Sequence, residues 1–509
     1  MPDAFLRRGR IPGRDAECDV LLADGRVRAI VPTGVVRPPR AAEVLELDGR
    51  FVIPGLWDNH VHFTQWALVS SRLDVSAASS AAEVVGLLLA GAARPGTAPL
   101  IGFGVRDGLW PDASALDSAL LDTVSATRAI VLISADLHGC WLNSAALAQY
   151  GLSGHPTGHL REDECFAVMR RLDDVSDDVG DALVETAAVA AARLGVVGIV
   201  DLEMRDNLSD WRRRIERGTR SLRVSFGIYG EHLEQSIRAG LRTGDVIAGT
   251  DGLLSVGPFK VITDGSLNTR TAYCYDEYEG LEGHEHSRGM LTVAPDALLA
   301  LLERATRAGL TPAVHAIGDH ANALALDTFE RLAADAVATG ARIEHAQLVA
   351  AADFARFAAL GVIASVQPEH AMDDRDVADR YWAGRTDRAF ALERLRASGA
   401  DLVLGSDAPV APLDPWQTMA AAVSRARGGR APWHPEQRVT AQYALTASTS
   451  GPQPFAASAS AGGLPSIGVG MPADIAVIER DPLRIAPDDL RGMPVAATFL
   501  AGRPTHQTL

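Results

Sequence analysis

Three times in the second half of the chain a helical stretch ends at a glycine and a short apolar run follows. Asp296 to Ala308 leads through Gly309 to Thr311-Pro-Ala-Val-His. Ala352 to Leu360 leads through Gly361 to Val362-Ile-Ala-Ser-Val-Gln, and Phe390 to Ser398 leads through Gly399 to Leu402-Val-Leu-Gly-Ser-Asp. Glycine accepts the left-handed conformation that stops a helix. Helices alternating with short apolar strands predict a parallel sheet covered on both faces. Further strand-like runs bring the total to eight, at 51–57, 197–203, 222–229, 256–263, 311–316, 341–345, 362–367 and 402–407. Eight is the number that closes a (β/α)8 barrel of the TIM type. An open doubly wound sheet is the alternative, but no G-x-G-x-x-G follows an early strand to support its dinucleotide-binding version.

A barrel alone takes about 250 residues, and the chain has 509. The surplus falls in two places. Residues 64–190 separate the first two barrel strands and are expected to form a cap inserted over the barrel mouth. They carry strand-like runs of their own, Pro99-Leu-Ile-Gly-Phe-Gly-Val and Ala129-Ile-Val-Leu-Ile-Ser. The two chain ends, 1–50 and 440–509, hold short strands around turns such as Asp24-Gly25. Neither end can bury a core alone. Together they are expected to build a small β-sandwich beside the 51–439 barrel domain. The Ala/Ser/Gly-rich stretch 456–463 reads as a linker.

Composition narrows the class. Hydrophobic residues make up 47%, which excludes a disordered chain, and the net charge of −16 disfavours binding to phosphate backbones. Four scattered cysteines, Cys18, Cys140, Cys165 and Cys274, form no C-x-x-C pair, so a reducing cytoplasm is expected. No segment has an apolar run long enough to span a bilayer. Nucleic acid and membranes are therefore not expected as partners. The basic residues are 47 arginines and one lysine, Lys260. Guanidinium cannot shed its proton and react, whereas an amine can. The lone lysine is thus a candidate for chemistry before any motif is considered.

His60 and His62 close the run Val52-Ile-Pro-Gly-Leu-Trp-Asp-Asn-His-Val-His. Histidines at i and i+2 on a strand face one side and can share a metal. A second such pair, His284 and His286, sits in a glycine- and charge-rich stretch without a preceding strand and reads as a solvated loop. His315, His345 and Asp407 end predicted strands five, six and eight, and Lys260 ends strand four. All would lie at the C-terminal rim, where barrel enzymes build their sites.

These residues resemble the amidohydrolase superfamily, and within it the amidohydrolase-3 branch, the YtcJ-like and N-substituted formamide deformylase-like group. The matching segments are Pro54-Gly-Leu-Trp-Asp-Asn-His-Val-His-Phe, Phe259-Lys-Val-Ile-Thr-Asp-Gly-Ser-Leu, His315-Ala-Ile-Gly-Asp, Ile343-Glu-His-Ala-Gln, Ser365-Val-Gln-Pro and Gly405-Ser-Asp-Ala-Pro-Val. The likeness runs nearly end to end. It implies one or two divalent metal ions, zinc by type. His60 and His62 would bind one metal and His315 and His345 the second. Lys260, carbamylated by CO2, would bridge them. Asp407 would touch a metal and serve as general base while metal-activated water attacks a carbonyl.

Asp136-Leu-His-Gly-Cys-Trp-Leu-Asn-Ser resembles that branch's H-x-x-W-x-N segment, making His138, Trp141 and Asn143 candidate substrate contacts; a helix cap at Asn143 or Ser144 is the competing assignment. Gln367 and His370, after strand seven, could line the pocket or serve as plain rim contacts. Arg270 could bind a substrate carboxylate or sit in an ion pair. His320 stands where the branch often carries arginine. The expected reaction is hydrolysis of a C–N bond in a small amide, formamide or cyclic amide. Deamination or ester hydrolysis on the same site is the alternative, with a Schiff-base lyase on Lys260 and a non-catalytic scaffold as more distant ones. A homodimer is compatible with the sequence.

Overall fold

A computed structural model describes residues 3–92, 99–107, 110, 112–135, 137, 139–332, 340–451 and 465–509. The linker expected at 456–463 lies outside them. The chain divides into two compact units, residues 1–63 with 188–509, and residues 64–187.

The larger unit holds an eight-stranded parallel sheet in chain order: Leu56–Val61, Val196–Asp201, Arg223–Ile228, Leu254–Ile262, Pro312–Ala316, Arg342–His345, Ile363–Val366 and Leu402–Leu404. The sheet closes on itself just beyond the last strand. His60 O accepts from Asp407 N at 2.7 Å, His62 N donates to Ala408 O at 2.9 Å, and Asn59 Nδ2 donates to Leu404 O at 3.1 Å. Gly405 makes this approach feasible: a Cβ there would meet His60 N at 2.6 Å. The helices before strands five, seven and eight, Pro295–Arg307, Phe354–Leu360 and Leu392–Ala397, give way to Gly309, Gly361 and Gly399, all at positive φ. That is the left-handed stop expected from sequence.

The first strand differs from expectation. The run 51–57 is not one strand. Phe51–Pro54 pairs antiparallel with Ile475–Ile478 in the terminal β region, and the barrel strand begins at Leu56. Pro54-Gly55 separates them, because proline offers no donor to continue a ladder. A second shift is at 440: helix Ala441–Thr449 packs on the first and last barrel strands and so belongs to the barrel. The chain ends form two four-stranded sheets that share a core of Leu6, Val20, Leu47, Val52, Ile475, Val477 and Phe499, among others.

The smaller unit is a five-stranded sheet, ordered His159–Arg161, Gly139–Leu142, Ile130–Ser134, Leu100–Val105 and Leu73–Asp74. Helices such as Ala81–Ala92 and Ser144–Tyr150 accompany it. Two apolar clusters, one on Val84, Leu88, Leu132 and Trp141 and one on Val131, Ile133, Leu142 and Cys165, give it a core of its own. No described helix in the chain is long and apolar enough to cross a membrane.

Candidate metal centre

The C-terminal ends of the barrel strands bring together His60, His62, Lys260, His315, His345 and Asp407. Ligand atoms of His60, His345 and Asp407 all lie within 4.8 Å of one another. Asp407 Oδ1 is 3.3 Å from His60 Nε2 and 3.4 Å from His62 Nε2. The rings of His60 and His345 are 5.0 Å apart and those of His315 and His345 4.4 Å apart. Lys260 does not end its strand; it lies two residues before the end of Leu254–Ile262, with a buried side chain. Asp407 lies three residues past Leu404. Two of these residues hold strained backbone. His345 has φ 74° and Asp407 φ 58°, a region bulky side chains rarely adopt and which concentrates at functional sites.

The polar groups test whether a metal fits. Lys260 Nζ, His62 Nδ1, His315 Nε2, His345 Nδ1 and His370 Nε2 are buried with no hydrogen-bond partner among the described residues. Orphaned buried nitrogens are costly unless a ligand completes them. Protonation favours the same answer. Burial, aided by Lys260, lowers His60 to about 4, and burial with His315 lowers His345 well below the ordinary range. Burial brings Lys260 down to about 8 against the pull of Glu344 and Asp407. Burial pushes Asp407 up, but His60, His62 and His345 outweigh it and hold the carboxylate well below its usual range. His62 goes the other way: burial would lower it, but the hydrogen bond and charge of Asp407 raise it. Neutral imidazoles at His60 and His345, a readily neutral amine and an ionised carboxylate are the forms that bind metal. The residue set fits a divalent metal ion.

Several supporting residues were not singled out from sequence. Glu344 is fully buried and its Oε2 meets His60 Nδ1 at 2.7 Å. Burial alone would raise its pKa; Arg342, whose Nε lies 2.6 Å from Oε1, together with His60 and Lys260, drives it far below the ordinary range. A carboxylate on the far nitrogen fixes a ligand histidine's tautomer and orientation. Asp264 accepts from the backbone N–H groups of Tyr273, Ile317 and Gly318, and its Oδ1 is 3.4 Å from His315 Nε2. Asp58 accepts from His60 N and Ser406 N, tying the first strand to the last. A visible signal was the pair of charges, Arg342 and Glu344, inside a strand as short as Arg342–His345.

The predicted substrate contacts divide. Gln367 and His370 reach the centre: Gln367 Nε2 is 3.4 Å from His60 Nδ1, and His370 Nε2 is 3.7 Å from Asp407 Oδ2. Trp141 is instead core of the smaller unit, 1% exposed and stacked 4.3 Å from His159. Asn143 caps helix Ser144–Tyr150. Its Oδ1 accepts from Ala146 N and Ile130 N, and its Nδ2 donates to Ser125 O and Arg128 O. That use of all its polar capacity favours the cap over a substrate contact. His138 lies outside the described residues. Arg270 is seated over the Tyr381 ring at 5.4 Å, and His320 is stacked between Tyr273 and Tyr275. His284 and His286 are exposed in a turn.

A model of the amidohydrolase family matches residues 43–506. The putative amidohydrolase YtcJ of Bacillus subtilis (strain 168) is 26% identical over 490 residues, covering 91% of this chain and 90% of that protein. The N-substituted formamide deformylase of Arthrobacter pascens is 26% identical over 518 residues, covering 95% of this chain and 94% of the relative. A crystal structure of an uncharacterized metal-dependent hydrolase from Pyrococcus horikoshii OT3 superimposes with a TM-score of 0.76 at 23% identity, covering 95% of this chain and 99% of that one.

Proposed function

The chain belongs to the amidohydrolase family, and from that premise we propose that it hydrolyses a carbon–nitrogen bond of a small amide, formamide or cyclic amide. The observation that carries the reading is the convergence of His60, His345 and Asp407 within 4.8 Å, beside buried nitrogens that have no hydrogen-bond partner among the described residues. The formamide deformylase among its relatives supports the choice of bond. Four free, buried cysteines support a cytoplasmic location.

His60, His62, Lys260, His315, His345 and Asp407 would hold the metal. Bound there, a divalent ion supplies Lewis acidity toward the carbonyl and water that ionises near neutral pH. The rest is the work of the chain. Lys260, brought to about 8 by burial, would react as the neutral amine: Nζ would add to CO2 and release one proton, giving a carbamate anion that would help hold the metal. Glu344 keeps the His60 ring turned so that Nε2 faces Asp407. Asp407 accepts the proton of the attacking water and hands it to the leaving nitrogen. His370, within 3.7 Å of Asp407 Oδ2, faces the same carboxylate and would be available to contact the substrate there.

Zinc-loaded protein assayed against N-formyl, N-acyl and cyclic amides is the direct test. Release of an amine and a carboxylate, abolished in Asp407→Asn, is the expected result. Release of ammonia from an amino-substituted ring, or of an alcohol from an ester, with every amide untouched, would overturn the choice of bond.

A further inference from the structure

Helix Pro415–Ser424 is followed by Arg425, one of the largest fully buried side chains in the protein. Its backbone lies in the left-handed region at φ 56°, which a non-glycine residue keeps only where its surroundings hold it. Trp433 does so. Arg425 Nε donates to Trp433 O at 3.1 Å, and Trp433 N donates to Arg425 O at 2.8 Å. The guanidinium also rests over the Trp433 ring, 5.5 Å from its centroid.

Those contacts occupy one edge of the fork. Nη1 and Nη2 are both buried and have no hydrogen-bond partner among the described residues. A second arginine grips the same loop two residues away: Arg375 Nη1 donates to Ala431 O at 2.9 Å, and its Nε is likewise buried without a partner. Neither arginine forms an ion pair among the described residues, although their neighbours do. Arg427 reaches Glu369 and Asp373, and Arg430 reaches Asp376. Glu436, the acid whose field acts most on Arg425, is held by His434 at 2.9 Å. Burial, together with repulsion from Arg375 and against Glu436, lowers Arg425 to about 10. A buried cation with open donors and a like charge nearby is the unfavourable arrangement that a counter-ion relieves.

The geometry points to a binding site for a small monovalent anion of the chloride class, held by Nη1 and Nη2 of Arg425 with Arg375 beside them. The open donors are screened from solvent, so the ion must be compact enough to be enclosed. Neither arginine is among the proposed metal ligands, and the reaction proposed above does not need them.

Thermal unfolding at constant ionic strength, with sodium chloride substituted stepwise for sodium gluconate, tests the site. Chloride is expected to raise Tm saturably, by roughly 2–4 °C. Arg425→Met should lose that increment. In gluconate it should be at least as stable as the parent, because it removes a buried unpaired charge. Arg375→Met, altering a half-buried side chain that folding tolerates more readily, should cut the increment by about half or more and decides the case if Arg425→Met does not fold. Arg430→Met, at an exposed ion pair, should keep the increment. A parent protein indifferent to the anion, or equal increments in all variants, would overturn the proposal.

Discussion

Lys260 is buried among histidines and carboxylates, with Nζ unpartnered among the described residues. Arginine would keep its charge and approximate its reach but cannot form a carbamate. With Lys260 in the proposed carbamate role, Lys260→Arg is expected to lose metal, seen as a lower metal-to-protein ratio by elemental analysis, and to slow turnover on the order of 10³-fold. A variant with full metal content and activity would remove Lys260 from the ligand set. Asp201 makes a different prediction. It accepts from Phe63 N, Glu203 N and Trp211 Nε1, and burial followed by Glu203 raises its carboxyl to about 6. The folded chain then holds this proton to higher pH than the unfolded chain, where the value is near 4. The stabilisation is fully present below about 4 and is lost as pH rises through about 6, a change of about 3 kcal/mol. Asp201→Asn should flatten the fall in unfolding free energy between those pH values, measured by urea denaturation. Equal slopes in the two proteins would show that Asp201 is already ionised throughout.

At the scale of elements, the insertion offers a test of local structure against recognition. Asn143 uses its side chain on four backbone groups at the start of helix Ser144–Tyr150. Asn143→Ala should destabilise that unit by about 2 kcal/mol, the sum of a lost cap and orphaned carbonyls. Faster amide exchange across 144–150 with an unchanged metal content is the expected signature. Unchanged exchange with a raised KM would restore Asn143 as a substrate contact. The same scale explains what could be read from sequence. Helix, glycine and apolar strand alternate with a period that one chain segment reveals by itself, so the barrel and its rim histidines were legible. The first strand was misplaced because Phe51–Pro54 runs on into Leu56 and Trp57 as one apolar stretch, and only the partners, Ile475–Ile478 and Val196–Asp201, divide it. Glu344 went unassigned because its meaning depends on His60, 284 residues away. The choice between cap and substrate contact at Asn143 depended on Ser125 and Arg128, which no spacing rule connects to it.

Over the whole molecule, folding and metal binding depend on the same closure. Strands one and eight meet through Asp407 N to His60 O and His62 N to Ala408 O, so three of the proposed ligands lie on the seam of the barrel. The terminal β region is joined to the barrel body by Arg223 with Asp474, Arg491 with Glu369, and Thr498 Oγ1 donating to Ala192 O. Glu369 in turn precedes His370, which faces Asp407. Separated in the unfolded chain, the ligands cannot offer one ion a common site, so metal binds the folded state and adds its binding free energy to stability. At a free metal concentration of about a thousand times Kd this amounts to about 4 kcal/mol. Dialysis against a strong chelator should therefore lower Tm by several degrees, and adding back zinc should restore it. In a His60→Ala, His345→Ala double variant, which removes ligands from both proposed metal positions, the chelator should leave Tm nearly unchanged. If the unaltered protein shows no shift on chelation, the six residues are a self-sufficient polar cluster and the metal plays no part in holding the seam.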